Sequence, residues 1–291
     1  SGREQPRRSR THRTNSVHRK VNTMLPIIDY TSPNAAQAFT ESLHETGFGV
    51  LANHPINSDL VQKIFTDWQA FFKADEKFDF PFGADSYDGY FSTAVSETAK
   101  GNDIKDVKEF YHVYPWGRIP TSLKDDALQY YADANALAAT LLGWVEQHTP
   151  TDISAHYSQP LSSMIAGSEQ TLLRVLHYPP LTGDEPAGAI RAAAHTDINL
   201  LTVLPAANEP GLQVLTRSGE WLDVPCDFGL IIINIGDMLQ EASQGFYPST
   251  THRVVNPEGA RNVSRLSLPL FLHPKPEVRL STRYTAEAYL N

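Results

Sequence analysis

TLLRVLHYPP (residues 171–180) begins the part of the sequence that is most informative about the fold. It is a short run of aliphatic residues that ends in two prolines, and similar runs, such as LIIINI (230–235), follow it with Pro, Gly and Asn between them. Short strands with frequent turn residues are typical of β-sandwiches and jelly rolls. We predict β-strands at residues 172–178, 200–204, 212–215, 230–235, 252–255 and 266–272, and therefore a jelly-roll core.

The sequence before residue 171 has a different period. Apolar residues recur at helical spacing at 34–46, 58–77 and 122–148. We expect a mainly β fold with a helical annex, in which a double-stranded β-helix (jelly-roll) core is flanked by α-helices and small molecules bind in the mouth of the barrel. We expect residues 24–291 to form a single catalytic unit, with an N-terminal region at 24–120, a helical region at 121–170 and the core at 171–280.

Charge is distributed unevenly along the chain. Residues 1–23 contain seven Lys or Arg and one Glu, whereas the rest contains 17 Lys or Arg against 32 Asp or Glu. The acidic body argues against a nucleic-acid groove. The basic head is low in apolar residues, so we expect it to be disordered, with a clamp for an acidic partner as the alternative. Met24 stands directly before the first strand-like run, so we interpret residues 1–23 as an upstream or artificial extension.

Cysteine and hydropathy indicate the cellular setting. Cys226 is the single cysteine, which excludes an internal disulfide and a cysteine-based zinc site and favours a reducing compartment. No run of about 18 apolar residues suggests a membrane span. We expect a cytoplasmic protein whose partner is a small-molecule substrate, without nucleic acid or membrane; the oligomeric state stays open.

A candidate metal site lies within the β-rich part. His195 and Asp197 are two positions apart where a strand runs into a turn, and His252 begins another strand-like run 55 positions beyond Asp197. Side chains two apart on a strand point to the same face, so His195 and Asp197 can reach one metal. Two imidazoles and one carboxylate that leave the other positions open are the ligand set of non-haem Fe(II) oxygenases.

The His-x-Asp pair alone would be a weak signal. The chain has 11 His, so such a pair arises easily by chance. The context strengthens the interpretation, because strands flank the pair and a distant His lies on another strand. His44, His54, His112, His177 and His273 lack this spacing, and we interpret them as structural.

Arg265 and Ser267 are the polar residues of the otherwise apolar run RLSLPLFL (265–272). A guanidinium in a buried strand requires an anion, and its planar fork matches a carboxylate. A small dicarboxylic acid would be such an anion. The alternative is an outward-facing Arg265 paired with a surface Asp or Glu.

With these motifs, the chain resembles the 2-oxoglutarate/Fe(II)-dependent dioxygenases of the isopenicillin N synthase-like type, in particular bacterial members. The resemblance extends over nearly everything from Leu25 onward. It depends on these motifs in this order: LPIID (25–29), ETGFG (45–49) with Asn53-His54, SETAKG (96–101) with KEFYHV (108–113), LHYPP (176–180), AHTD (194–197), PGLQV (210–214), NIGDML (234–239), THRVV (251–255) and RLS (265–267).

The resemblance implies that His195, Asp197 and His252 bind Fe(II). It also implies that Arg265, Ser267 and Tyr178 bind the distal carboxylate of 2-oxoglutarate, and that O2 is the oxidant. Two features depart from the pattern. Leu176 stands where many plant relatives have Asn, and 13 positions separate His252 from Arg265, which leaves Arg261 in a lengthened turn as the rival anion binder.

The implied reaction couples oxidative decarboxylation of 2-oxoglutarate to succinate and CO2 with oxidation, by default hydroxylation, of an unidentified small molecule. Desaturation, ring closure and fragmentation use the same ligands. Candidate lining residues of the substrate pocket are Tyr87, Tyr90, Phe91, Lys100 and Phe110, which suit a small organic acid or an aromatic metabolite.

Two other classes of function stay open at this stage. A non-oxidative jelly-roll metal-binding protein or a 2-oxoglutarate sensor would bind metal without forming succinate, and a structural protein with a vestigial site would bind none. Among the remaining polar residues, we expect Asn234 and Asp237 to make turn hydrogen bonds, with a hairpin-like bend at Gly236-Asp237.

Overall fold

A computed structural model of the chain describes residues 24–92, 108–180, 190–256 and 262–291. The basic head (1–23), Lys100 with its motif and Arg261 lie outside these ranges. The expectations for them therefore stay predictions.

The described residues contain thirteen strands. They are β1 (Ile27–Asp29), β2 (Phe48–Ala52), β3 (Gly89–Phe91), β4 (Glu109–Val113), β5 (Leu172–Tyr178), β6 (Ile190–His195), β7 (Leu201–Pro205), β8 (Leu212–Leu215), β9 (Trp221–Asp223), β10 (Ile231–Ile235), β11 (His252–Val255), β12 (Arg265–Ser267) and β13 (Leu270–Leu272). The predicted strands all exist, with one interruption. The run at 266–272 is split into β12 and β13, because Pro269 has no N–H to contribute to the ladder with β5.

The helices of the described residues are α1 (Ala35–Thr46), α2 (Ser58–Lys73), α3 (Thr121–Gln147), α4 (Thr151–Ser154), α5 (Leu161–Ile165), α6 (Asp237–Ala242) and α7 (Ala286–Leu290). The three long ones match the predicted segments. α2 begins where the Asn57 side chain accepts a hydrogen bond from the Asp59 N–H, and it ends four residues earlier than predicted because Ala74 is extended. A 3-10 helix at Asp75–Asp79 follows. No helix of the described residues is long and apolar enough to cross a membrane.

The strands form two sheets. The large sheet has the order β1-β2-β10-β7-β13-β5-β4-β3, with β12 also paired to β5, and the small sheet has the order β6-β11-β8-β9. Residues of both sheets, including Val50, Ile232 and Val214, pack into one apolar cluster between them. The mainly β jelly-roll architecture with flanking helices is confirmed.

Side chains on the strands of the large sheet point alternately to its two faces, which have different surroundings. In β10, Ile231, Ile233 and Ile235 join the core formed with the helices, whereas Ile232 and Asn234 point toward the small sheet. In β5, Leu173 and Val175 likewise join the helix-side core. Since successive side chains on a strand point to opposite faces, the remaining positions of these buried strands are directed into the space between the sheets.

Gly236, between β10 and α6, differs from the sequence expectation. The expected hairpin-like bend at Gly236-Asp237 is wrong, because Asp237 begins helix α6. A Cβ on Gly236 would collide with the backbone carbonyl of Asn199. This position therefore requires a glycine, which lets the chain between β6 and β7 pass close to the start of α6.

Candidate metal and co-substrate site

His195, Asp197 and His252 lie together between the two sheets. His195 ends β6 and His252 begins β11, and the antiparallel ladder places these two residues directly opposite each other. Their ligand atoms and a carboxylate oxygen of Asp197 all lie within 4.8 Å of one another. Among the described residues, this is the one group of three or more His, Cys, Asp or Glu side chains with such a geometry.

The two imidazoles are oriented by backbone carbonyls. His195 Nδ1 lies 2.7 Å from the Ala193 carbonyl oxygen, and His252 Nδ1 lies 3.0 Å from that of Thr250. A carbonyl oxygen only accepts, so each Nδ1 carries the proton and each Nε2 keeps its lone pair. Both Nε2 atoms point toward Asp197 Oδ1, at 3.7 and 3.6 Å. Such outer contacts fix the tautomer and the ring direction of metal-binding histidines.

Asp197 is held by two buried donors. Its Oδ2 accepts hydrogen bonds from Thr202 Oγ1 (2.7 Å) and Asn234 Nδ2 (2.8 Å), which leaves Oδ1 toward the imidazoles. Burial favours a higher pKa for the carboxyl group, but the neighbouring His252 and these hydrogen bonds outweigh it and lower the pKa of Asp197. The carboxylate form is therefore the stable one.

Asn234 and Thr202 were missed as functional residues by the sequence interpretation. The sequence predicts turn hydrogen bonds for Asn234, but this residue is the fourth of β10 and donates to Asp197. A polar residue within the apolar run LIIINI (230–235) was the available signal, because a buried amide needs a partner.

The donor set fits a ferrous ion. One carboxylate and two neutral imidazoles on one side of a metal are the donors that this ion uses, with the remaining positions open. The side chain of His195 is 47% exposed, whereas those of Asp197 and His252 are 8% and 10% exposed. The site is therefore anchored at its buried end and open at the other.

A cavity of about 130 Å³ adjoins His195, Asp197 and His252. Its wall includes Leu176, Pro269 and Phe271 together with two cationic side chains, Lys108 and Arg174. The Arg174 guanidinium lies between the rings of Phe110 and Phe271, at 4.8 and 5.3 Å from their centroids. Its Nε donates to His112 Nε2 at 3.0 Å.

Most of the expected lining residues lie elsewhere. Tyr87 is exposed, and the Tyr90 hydroxyl donates to the buried Glu109 carboxylate. Phe91 stacks on Phe110, and Phe110 lies against the guanidinium of Arg174, which lines the cavity. Through the register of β3, β4 and β5, Phe91 and Phe110 share the sheet face of the cavity-lining Leu176, whereas Tyr90 is on the opposite face. Phe91 and Phe110 lie toward the β3 edge of the large sheet, beyond the described wall of the cavity.

A second cavity of about 90 Å³ contains Arg265, Ser267 and Tyr178. Arg265 and Tyr178 are directly opposite each other in the ladder between β12 and β5. The two cavities share Tyr178 and Ser267 as well as three aliphatic lining residues, Leu204, Leu212 and Val254. The two cavities therefore adjoin each other.

Arg265 has an acidic neighbour in this cavity. Its Nε lies 3.5 Å from the Glu209 carboxylate, and its Nη2 donates to the Glu209 carbonyl oxygen at 3.3 Å. The side chain is only 13% exposed. The alternative in which Arg265 faces outward is therefore wrong, because its side chain is largely buried. The acidic partner that this alternative expected does exist, as Glu209.

The other candidate histidines are in structural contacts. His54 Nε2 lies 2.7 Å from the Gly229 carbonyl oxygen, and burial lowers its pKa. His177 lies between the Glu109 carboxylate and the Ser264 hydroxyl. Neither belongs to the metal-ligand group.

Comparisons with known proteins match nearly the whole chain. The family model described as the 2OG-Fe(II) oxygenase superfamily matches residues 148–274, and that described as the non-haem dioxygenase in morphine synthesis N-terminal region matches residues 25–133. A flavonoid 7-O-demethylase from Ocimum basilicum is 30% identical over 278 residues, which cover 88% of this chain and 70% of the relative.

Two solved structures show the same architecture. A candidate oxygenase from Shewanella oneidensis is 61% identical, with a TM-score of 0.86 and coverage of 92% of this chain and 96% of that one. A candidate 2OG-Fe(II) oxygenase family protein from Caulobacter crescentus is 29% identical, with a TM-score of 0.75 and coverage of 91% and 96%.

Proposed function

Since the chain belongs to the 2-oxoglutarate/Fe(II)-dependent oxygenase superfamily, we propose which of its residues perform the reaction. His195, Asp197 and His252 hold Fe(II), and Arg265, Ser267 and Tyr178 hold the distal carboxylate of 2-oxoglutarate. The observation that carries this assignment is the convergence of two imidazole nitrogens and one carboxylate oxygen within 4.8 Å. The adjoining cavity with Arg265 supports the co-substrate site.

When bound, Fe(II) with 2-oxoglutarate and O2 supplies the oxidising power, and 2-oxoglutarate leaves as succinate and CO2. The protein binds and orients the reactants. Thr202 and Asn234 hold Asp197 so that Oδ1 remains the ligand atom. Leu176, at the position where many plant relatives have Asn, is buried and makes this wall of the cavity apolar.

We propose a small molecule with an anionic group as the prime substrate, and hydroxylation as the default outcome. Lys108 and Arg174 line the cavity beside the ligands, and Phe271 gives it an aromatic face. Burial, followed by the charge of Arg174, lowers the pKa of His112 to about 3, so His112 accepts from Arg174 without a charge of its own. The guanidinium keeps its positive charge and a fixed direction.

The proposal also includes the domain organisation and the cellular location. Residues 24–291 act as one catalytic unit, which is supported by an apolar core that joins helix residues such as Trp68 to strand residues such as Val203. A cytoplasmic location is supported by the single, half-buried Cys226 and by the need to keep iron ferrous.

The test begins with anaerobic addition of Fe(II) and 2-oxoglutarate, followed by visible absorption and, after air is admitted, by quantification of succinate. We expect a metal-to-ligand charge-transfer band and succinate for wild type, and neither for His195→Ala. His156→Ala, an exposed histidine outside the ligand group, is the matched control and retains both. Metal-loaded wild-type protein that shows no band and no succinate would contradict the residue assignment.

The substrate class is tested separately, by oxygen consumption and succinate formation with a panel of aromatic and aliphatic carboxylic acids and their neutral amides. We expect acids to accelerate turnover and amides not to do so, with the preference reduced in Arg174→Met. Acceleration by amides as strong as by acids would refute an anionic substrate and leave the iron assignment intact.

A further inference from the structure

Arg191 is a second buried arginine in the cavity that contains Arg265. It lies on β6, four positions before His195, and only 7% of its surface is exposed. Its side chain lines the cavity of about 90 Å³ together with Arg265, Tyr178 and Ser267. The family motifs found in the sequence do not include it.

The hydrogen bonds of Arg191 use only part of its guanidinium group. Its Nε donates to Asn256 Oδ1 at 2.6 Å. Among the residues that the structure describes, no acceptor is bonded to its two Nη groups. A guanidinium has five N–H donors, and burying them without acceptors is costly. The bond to Asn256 holds the guanidinium at Nε, and the Arg191 side chain lines the cavity.

The charges in this cavity are unbalanced. Arg191 and Arg265 are two permanent cations, and Glu209 is the one carboxylate on the described part of the cavity wall. Burial, followed by the proximity of Arg265, lowers the pKa of Arg191, whereas Glu209 acts in the opposite direction. Because the remaining lining is mostly aliphatic, a second anion in the cavity would be stabilised.

We propose that Arg191 is a second anchor for the distal carboxylate of 2-oxoglutarate, opposite Arg265. This inference rests on the proposed co-substrate site. Arg191 and Arg265 come from different sheets, so a carboxylate between them bridges the two walls of the barrel. Two arginines also require that the keto acid carry a charged tail, so Arg191 is a specificity-determining residue for the co-substrate.

The experiment measures dissociation constants by calorimetry under argon, with Mn(II)-loaded full-length protein. The two probes are 2-oxoglutarate and 2-oxopentanoate, which has the same chain length and no distal carboxylate. Arg191→Met keeps an apolar stem and removes the charge. Arg253→Met is the matched control, because Arg253 also lies on a small-sheet strand, β11, but packs over the Trp221 ring at 3.8 Å.

We expect Arg191→Met to bind 2-oxoglutarate about 10- to 100-fold more weakly, because the loss of charge-assisted hydrogen bonds has an effect of this size on a dissociation constant. Binding of 2-oxopentanoate should change less than about twofold, because it lacks the group that Arg191 contacts. The Arg253→Met control should bind both probes like wild type. An unchanged constant for 2-oxoglutarate, or an equal loss for both probes, would overturn the proposal.

Two further variants keep the outcomes distinct. If Arg191→Met does not unfold cooperatively, Arg191→Lys is measured in its place. We expect Arg191→Lys to lose about 3- to 10-fold in affinity for 2-oxoglutarate, because lysine keeps the charge but lacks the planar fork. Its affinity for 2-oxopentanoate should not change. Equal behaviour of both probes in that variant overturns the role of Arg191. If wild type binds no 2-oxoglutarate, or Arg265→Met binds it normally, the proposed co-substrate site itself fails.

Discussion

Thr202→Val isolates the contribution of the residues that hold Asp197. The change keeps the shape of a buried β7 side chain and removes the hydroxyl that donates to Asp197 Oδ2 at 2.7 Å. The other donor, Asn234, remains at 2.8 Å. Asn199 also loses an acceptor at Thr202, but its amide keeps a 2.7 Å bond to the Leu201 carbonyl oxygen, so little stability should be lost there.

The expected magnitude follows from these contacts. A hydrogen bond to a charged acceptor contributes about 1.5–3 kcal/mol, which corresponds to roughly 10- to 100-fold in a dissociation constant. Loss of an outer contact of a metal ligand has effects of about the same size. We therefore expect Thr202→Val to bind Fe(II) about 10- to 100-fold more weakly, with a folded protein and a normal melting transition.

The assay is anaerobic competition for Fe(II) with a chromophoric chelator. Thr40→Val is the matched control, since Thr40 is also buried but its hydroxyl donates to the Ala36 carbonyl oxygen in α1, away from the ligands. Folded Thr202→Val with an affinity within about twofold of wild type would refute the reasoning. An equal loss in Thr40→Val would also refute it, because the effect would then be a general one of buried threonines.

Three further predictions concern the backbone, metal removal and pH. Gly236→Ala should lower the free energy of unfolding by about 1–3 kcal/mol. It should also lower the Fe(II) affinity, because the new Cβ would collide with the Asn199 carbonyl oxygen, close to Asp197. Denaturant unfolding and the chelator assay measure the two effects, and wild-type values in both would contradict the prediction. Removal of Mn(II) present at about 100 times its dissociation constant should lower the melting temperature by about 5 °C, whereas His252→Ala should show no metal-dependent shift. His112 is neutral in the folded protein because burial lowers its pKa to about 3. The unfolded chain binds one more proton below pH 6.5, so the free energy of unfolding should decrease by up to about 1.4 kcal/mol for each pH unit as the pH falls from 6.5 to 3. Urea titrations at pH 7 and pH 5.5 should show a smaller decrease for His112→Gln than for wild type, and identical decreases would exclude His112 as a cause.

The local pattern predicted the elements because it records which face of each segment is buried. Apolar spacing gave the long helices to within a few residues, and the β-rich runs gave the strands on both sides of the site. The errors lie where a local pattern has two meanings. The run at 266–272 looks like one strand until Pro269 divides it, and Gly236-Asp237 suits a bend as well as the start of a helix.

The types of donor and their order can be seen in the sequence: His195 and Asp197 are on one segment, His252 is on another, and the Arg265-x-Ser267 pair is on a third. Ligand chemistry follows from residue type, which is why the iron and co-substrate expectations could be formed without coordinates.

The surroundings of these residues depend on how the folded chain brings distant segments together. The pairing of His252 with His195, the contact of Asn234 with Asp197 and the placement of Arg191 near Arg265 each join segments at least 37 positions apart. Such contacts depend on strand register and on which sheet a strand joins. Side-chain alternation gives the two faces of a strand but does not specify which distant residue each face meets.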